Sequence, residues 1–126
     1  VANKAKVYKW ETLPREVVRP GVSRAGFRGE NALMVMNWLD PGMEARPHSH
    51  PFEQLVFILS GRVRFTVGDE TVEVGPGELL YIPPDIEHFG DVVGDEPAVN
   101  LDVFAPVRAD YRHLTDYQEA DFKNYK

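Results

Sequence analysis

An all-β fold is the class the sequence predicts, and three observations carry that expectation. Short apolar or alternating runs recur at 32–39, 55–59, 63–67, 71–74, 79–82 and 99–104. Turns rich in Gly and Pro separate them, at Asp40-Pro41-Gly42, Ser60-Gly61, Gly68-Asp69, Gly75-Pro76-Gly77, Pro83-Pro84-Asp85 and Gly94-Asp95. No segment before Asp110 repeats its apolar residues with a helical period. Many short strands between such turns form an antiparallel sandwich or barrel. With 126 residues there is room for one complete hydrophobic core, hence one domain.

In chain order, residues 1–20 read as an N-terminal arm or edge strand. Val7, Tyr8, Trp10 and Leu13 are too apolar to be left in water, and they are expected to pack against a partner subunit, giving a homodimer. Residues 21–108 hold the strands. Met34, Met36 and Trp38 share one strand face and read as core or pocket wall. Residues 62–74 read as a hairpin about Gly68-Asp69, with Val63, Phe65 and Val67 on its apolar face. Tyr81 projects outward by strand parity. Residues 109–126 form a C-terminal tail, either a short helix or a loosely attached segment, with His113 as an isolated surface histidine.

Composition narrows the function classes. Fourteen Lys and Arg stand against twenty Asp and Glu, a formal charge of -6, which disfavours nucleic acid and acidic lipid as partners. It leaves open an anionic metabolite bound at a locally positive pocket. The chain has no cysteine, so disulfides, thiolate metal sites and cysteine nucleophiles are excluded. No run approaches the roughly 18 apolar residues of a membrane span, and the opening VANKAKVYKWETLP is not a secretory leader, so a cytoplasmic location is expected. There is no glycine-rich phosphate loop, HExxH or GxSxG.

The residues that carry chemistry begin at His48 and His50. Alternate residues of an extended chain point to one side, so both imidazoles can aim at one point. Gln54 keeps the same parity, together with Val56 and Ile58, whereas Glu53 would face away unless a bulge intervened. His88, just beyond Pro83-Pro84, would be brought across by strand pairing. Three imidazoles and an amide oxygen can hold one divalent ion per chain; nickel, manganese, zinc and iron all remain open. On the last strand, Asn100, Asp102 and Phe104 share a face. An inward carboxylate costs free energy unless a partner supports it, which makes Asp102 a candidate acid–base group. Its structural alternative is a salt bridge to Arg28, Arg62 or Arg64. Phe104 could wall a sugar ring or simply fill the core, and Arg108 could pair with a substrate carboxylate or stand as a solvated charge. Arg24 and Arg46 could add positive charge near the pocket mouth.

The segment GMEARPHSHPFEQLVFILSG resembles the first motif of the cupin superfamily through Gly42, His48, His50, Gln54 and Gly61, with glutamine where glutamate is usual. The segment GELLYIPPDIEH resembles the second through Gly77, Pro83 and His88; Asp85 stands where glycine is usual, and the later asparagine is absent. The resemblance implies a cupin double-stranded β-helix, a jelly-roll barrel of two antiparallel sheets with little helix. The phrases HSHPFEQ and LDVFAPVR are similar to those of the cupins that linearise unsaturated uronates in pectin and alginate breakdown, with Ala105 in place of serine. That narrower resemblance implies a small anionic sugar-acid substrate. It also implies metal-dependent conversion of a 4,5-unsaturated 4-deoxyuronate to its linear 4-deoxy-5-keto form, with roles for Asp102, Phe104 and Arg108 around the substrate. The alternatives are a metal-dependent iron dioxygenase and a non-catalytic sugar-acid-binding cupin.

Overall fold

A computed structural model describes residues 4–120. Nine strands form two antiparallel sheets. They are β1 (Glu16–Arg19), β2 (Val22–Arg28), β3 (Leu33–Leu39), β4 (Gln54–Ser60), β5 (Val63–Val67), β6 (Glu70–Val74), β7 (Leu79–Ile82), β8 (His88–Val92) and β9 (Ala98–Phe104). The larger sheet runs β1-β2-β3-β9-β4-β7 and the smaller β6-β5-β8. Apart from a single turn at Trp10–Thr12, the only helical segment among the described residues is a kinked 3-10 stretch at Ala109–Gln118.

Strand alternation decides what lies between the layers. Gln54, Val56 and Ile58 are buried, while Leu55 and Leu59 are exposed. Val22, Leu39, Val56, Ile58, Ile82 and Ala98 of the larger sheet meet Val63, Phe65 and Val74 of the smaller in the main core. The hairpin about Gly68-Asp69 pairs Val63 with Val74 and Val67 with Glu70, the register its alternation requires. Gly61 has φ 73, and a side chain there would meet the Pro97 carbonyl oxygen at 2.5 Å, so only glycine fits that turn.

The expected closed jelly-roll barrel is not formed. Two antiparallel sheets and little helix are present, but neither sheet closes on itself: β1 and β7 remain edges of one, and β6 and β8 of the other. Among the described residues, an isolated backbone bridge between His48 and His88 ties the connecting segment to the smaller sheet. The physical reason lies in the prolines. Pro47 and Pro51 flank that bridge and Pro83-Pro84 ends β7; without amide hydrogens these positions cannot extend a ladder from one sheet into the other.

Residues 16–19, within the expected arm or edge strand, form the edge strand β1, and two strands, β2 and β8, lie outside the apolar runs. VSRAGFR and HFGDV are interrupted by charge and glycine, yet both glycines are packing positions. A side chain at Gly26 would come within 2.8 Å of Leu114, and one at Gly90 would press on Val63 and Phe65. The C-terminal segment is well attached across 109–118. Leu114 joins Leu33, Val35, Phe104 and Val107 in a second core, and Gln118 bonds both the N–H and the C=O of Arg28 at 3.0 Å. His113, expected to be isolated, lies 2.9 Å from Glu16. At the other end Tyr8 and Trp10 pack on Phe27 of their own chain, and Leu13 is buried. Residues 1–3 and 121–126, parts of the expected arm and tail, lie outside the described residues.

Candidate metal centre and pocket

The three histidines converge as their spacing suggests. His48 and His88 exchange backbone hydrogen bonds of 3.0 and 2.9 Å, which sets their imidazoles side by side with ring centres 4.3 Å apart. His50 closes the group, 4.9 Å from the His88 ring, and one nitrogen from each ring falls within 4.8 Å of the others. The turn before His88 is held by Asp85, whose N–H donates to the His50 carbonyl at 2.8 Å. Asp85 has φ 65, the left-handed region in which the motif usually has glycine; aspartate is one of the few residues that tolerates it. The departure at Asp85 therefore leaves the turn intact.

Each imidazole is oriented by a backbone carbonyl. His48 Nδ1 donates to Arg46 at 3.0 Å, His50 Nδ1 to Phe52 at 2.8 Å and His88 Nδ1 to Ile86 at 2.9 Å. A carbonyl only accepts, so the proton of each neutral ring sits on Nδ1 and the Nε2 lone pair faces the cluster. Burial pushes His50 and His88 below the usual imidazole value, and neighbouring cationic groups add to this, so both rings are neutral near pH 7. His88 Nε2 is buried with no hydrogen-bond partner. Gln54 Oε1 lies 3.2 Å from His50 Nε2, which sets two lone pairs against each other. A cation between these groups resolves both features, so the residues fit a divalent metal ion. Gln54 is buried and Glu53 exposed, in agreement with strand parity.

Asp102 stands beside this cluster on β9, opposite Val35 and Val56. Asn37 donates to its Oδ2 at 2.9 Å and Asn100 to its Oδ1 at 2.8 Å. The Gln54 side chain also works to lower the Asp102 pKa, so one amide bears on both the aspartate and His50. Burial pushes the Asp102 carboxyl up to about 6, although these amides and the charge of Arg108 work against the rise. Of the arginines expected as alternatives, Arg64 instead lies 3.7 Å from Glu73 and Arg28 bonds Gly29. Asn37 had no assigned role from sequence. Its signal was a polar residue in the inward row Leu33, Val35, Asn37, Leu39.

Phe104 is buried, edge-on to His50 with ring centres 5.8 Å apart, and forms part of the pocket wall. Arg108 is buried behind it. Its guanidinium lies 4.7 Å from the Phe104 ring centre and 4.0 Å from that of Tyr111, and it makes a two-point ion pair with Asp110 at 2.6 and 3.1 Å. The pocket is open, with a volume of about 760 Å³ including its mouth. Gln54, His48 and His88 lie in its wall with Asp102, Phe104 and Asn100. Arg24 and Arg46 do face the mouth; Arg19 and Tyr111, which carried no sequence signal, join them.

Residues 38–104 match the model of the Cupin domain family. The chain is a cupin. KdgF from Halomonas sp. superposes with a TM-score of 0.76 at 21% identity, covering 85% of this cupin and 98% of that chain. An RmlC-like cupin from Shewanella frigidimarina gives 0.75 at 21% identity, covering 86% and 96%. An uncharacterised Streptomyces coelicolor protein is 28% identical over 102 residues, 80% of this cupin and 96% of that protein. The two structures share the fold with this cupin. Among the described residues, no helix is long and apolar enough to cross a membrane.

Proposed function

We propose that this cupin converts a 4,5-unsaturated 4-deoxyuronate monosaccharide into its linear 4-deoxy-5-keto form. The observation that carries the reading is the placement of Asp102, a carboxyl raised to about 6, in one pocket with His48 and His88 of the three-imidazole cluster. A carboxyl poised near neutral pH can both take and give a proton. The phrases HSHPFEQ and LDVFAPVR support the substrate class.

His48, His50, His88 and Gln54 would hold the divalent ion, which when bound supplies Lewis acidity toward sugar oxygens. None of the four donors brings a negative charge, so the full charge of the ion acts on an anionic ligand; this favours the ring-opening reading over an iron dioxygenase. Asp102 takes the proton of the anomeric hydroxyl as the bond between C1 and the ring oxygen breaks. The enol left at C5 becomes a ketone when C4 receives a proton from the same carboxyl. The balance is an isomerisation that needs neither water nor oxidant. Phe104 excludes water from one side of the ring. Arg108, held on Phe104 and Tyr111, adds positive charge behind Asp102 and the imidazoles. A homodimer belongs to the same reading. Leu55, Leu79 and Tyr81 are exposed on the outer face of β4 and β7, and a second copy would cover them.

The test is loss of the conjugated enol-acid absorbance on adding metal-loaded protein. Acceleration is expected, with Asp102→Asn reducing kcat at least about a hundredfold while the metal content stays the same. No acceleration, or an Asp102→Asn variant as fast as the parent, would sink the proposal.

A further inference from the structure

The pocket differs in charge from the molecule that carries it. The chain has a formal charge of -6, yet three arginines, Arg19, Arg24 and Arg46, line the pocket, and Asp102 is the one carboxylate in its wall among the described residues. Such crowding of like charge is unfavourable on its own. Arg19 feels both Arg46 and Arg24, and burial together with these neighbours lowers its pKa.

The three side chains are also held in place. Arg19, the last residue of β1, donates from Nε to the Glu44 carbonyl at 2.8 Å and makes no ion pair among the described residues. Arg24 donates from Nε to Glu16 at 2.7 Å, and its guanidinium carbon sits 4.6 Å from the Tyr111 ring centre. Arg46 donates from Nη2 to the Glu44 carboxylate at 3.0 Å. Thus Arg19 and Arg24 are each anchored through Nε. Among the described residues their Nη groups make no hydrogen bond, and these are the atoms that grip a carboxylate in a fork. Arg108, the arginine first assigned to that task, is occupied by Asp110 and stands behind Phe104.

We propose that Arg19 and Arg24, with Arg46 adding charge at the rim, form the subsite that recognises the carboxylate of an acidic sugar. The proposal deepens the function proposed above and takes its substrate class from it. Bound there, a sugar acid spans the pocket from the arginine rim to the imidazole cluster, and Asp102 stands beside the cluster it reaches. Arg108 becomes a positioning residue that fixes Phe104 and Tyr111.

Calorimetric titration of the metal-loaded full chain with galacturonate and with galactose, its uncharged counterpart, tests the subsite. The parent is expected to prefer the acid by at least about tenfold, and Arg19→Gln or Arg24→Gln to weaken galacturonate about tenfold while leaving galactose unchanged. Arg19→Lys, which keeps the charge on the edge strand, should recover part of the loss and guards against a folding defect in the glutamine variant. Equal binding of acid and neutral sugar by the parent, or an unchanged preference in both glutamine variants, overturns the subsite. The uronate turnover assay separates the two readings. Turnover with KM unchanged in Arg19→Gln and Arg24→Gln overturns the subsite alone. An arginine-dependent acid preference without turnover overturns the reaction alone.

Discussion

Replacing Asp102 with asparagine should stabilise the metal-free protein at alkaline pH while removing its acid–base chemistry. The sign follows from linkage. The folded carboxyl titrates at about 6 against an ordinary 3.8, because burial penalises its charged form. The protonated acid is therefore favoured in the fold: its contribution is fully present below 3.8 and lost as pH rises through about 6. The full rise corresponds to about 3 kcal/mol, of which about 2 kcal/mol falls between pH 4.5 and pH 8. Asparagine has the same shape and no charge. It offers one acceptor where the carboxylate offered two, so Asn100 or Asn37 must turn its amide, at a cost that does not vary with pH. Urea unfolding of parent and Asp102→Asn in chelator, at both pH values, isolates the charge term, since the histidines titrate in both proteins. The stability difference should move by about 2 kcal/mol in favour of the variant on going from pH 4.5 to pH 8. A difference that does not change with pH would show that the Asp102 carboxyl is not penalised by its surroundings, and the acid–base assignment would lose its physical basis.

Three further outcomes follow from particular contacts. Gln118→Ala removes two buried hydrogen bonds to the backbone of Arg28 and should cost about 2–4 kcal/mol in denaturant unfolding, far more than an exposed tail would. A divalent ion at about a hundred times its Kd should add about 2.7 kcal/mol, seen as a rise in Tm of roughly 10 °C; His88→Gln should abolish the rise, and a variant that keeps it would place the ion elsewhere. Leu79→Glu puts a charge in the exposed face of β7 and should convert a dimer to monomer in sedimentation, whereas a parent that already sediments as a monomer would end the dimer reading.

Legibility from sequence followed physical range. Parity along one strand is local, so the inward set Gln54, Val56 and Ile58 and the hairpin register at Val63–Val67 were both readable from alternation alone. Spacing between motifs was enough to bring His88 to His48 and His50. What depended on chain segments far apart was not readable. Gly26 and Gly90 look like interruptions in a sequence and are close-packed strand positions in the fold. Asp110, two residues beyond Arg108, captures that guanidinium, which no rule of strand alternation could foresee at a turn. Arg19 gained its place only when β1 added to the larger sheet. The strand-and-turn pattern left sandwich and barrel open, the resemblance chose the closed barrel, and the prolines that oppose closure stand in the sequence at Pro47, Pro51 and Pro83-Pro84.

The bridge between His48 and His88 places two imidazoles at a backbone joint between the connecting segment and the smaller sheet. Anything grasped by those rings also fastens that joint, so occupancy of the centre and opening of the joint become one mechanical variable. The amides of His48 and His88, rather than the core of either sheet, should then report loading most directly: their hydrogen exchange would slow when the centre fills and quicken when it empties, without a change in the strands on either side.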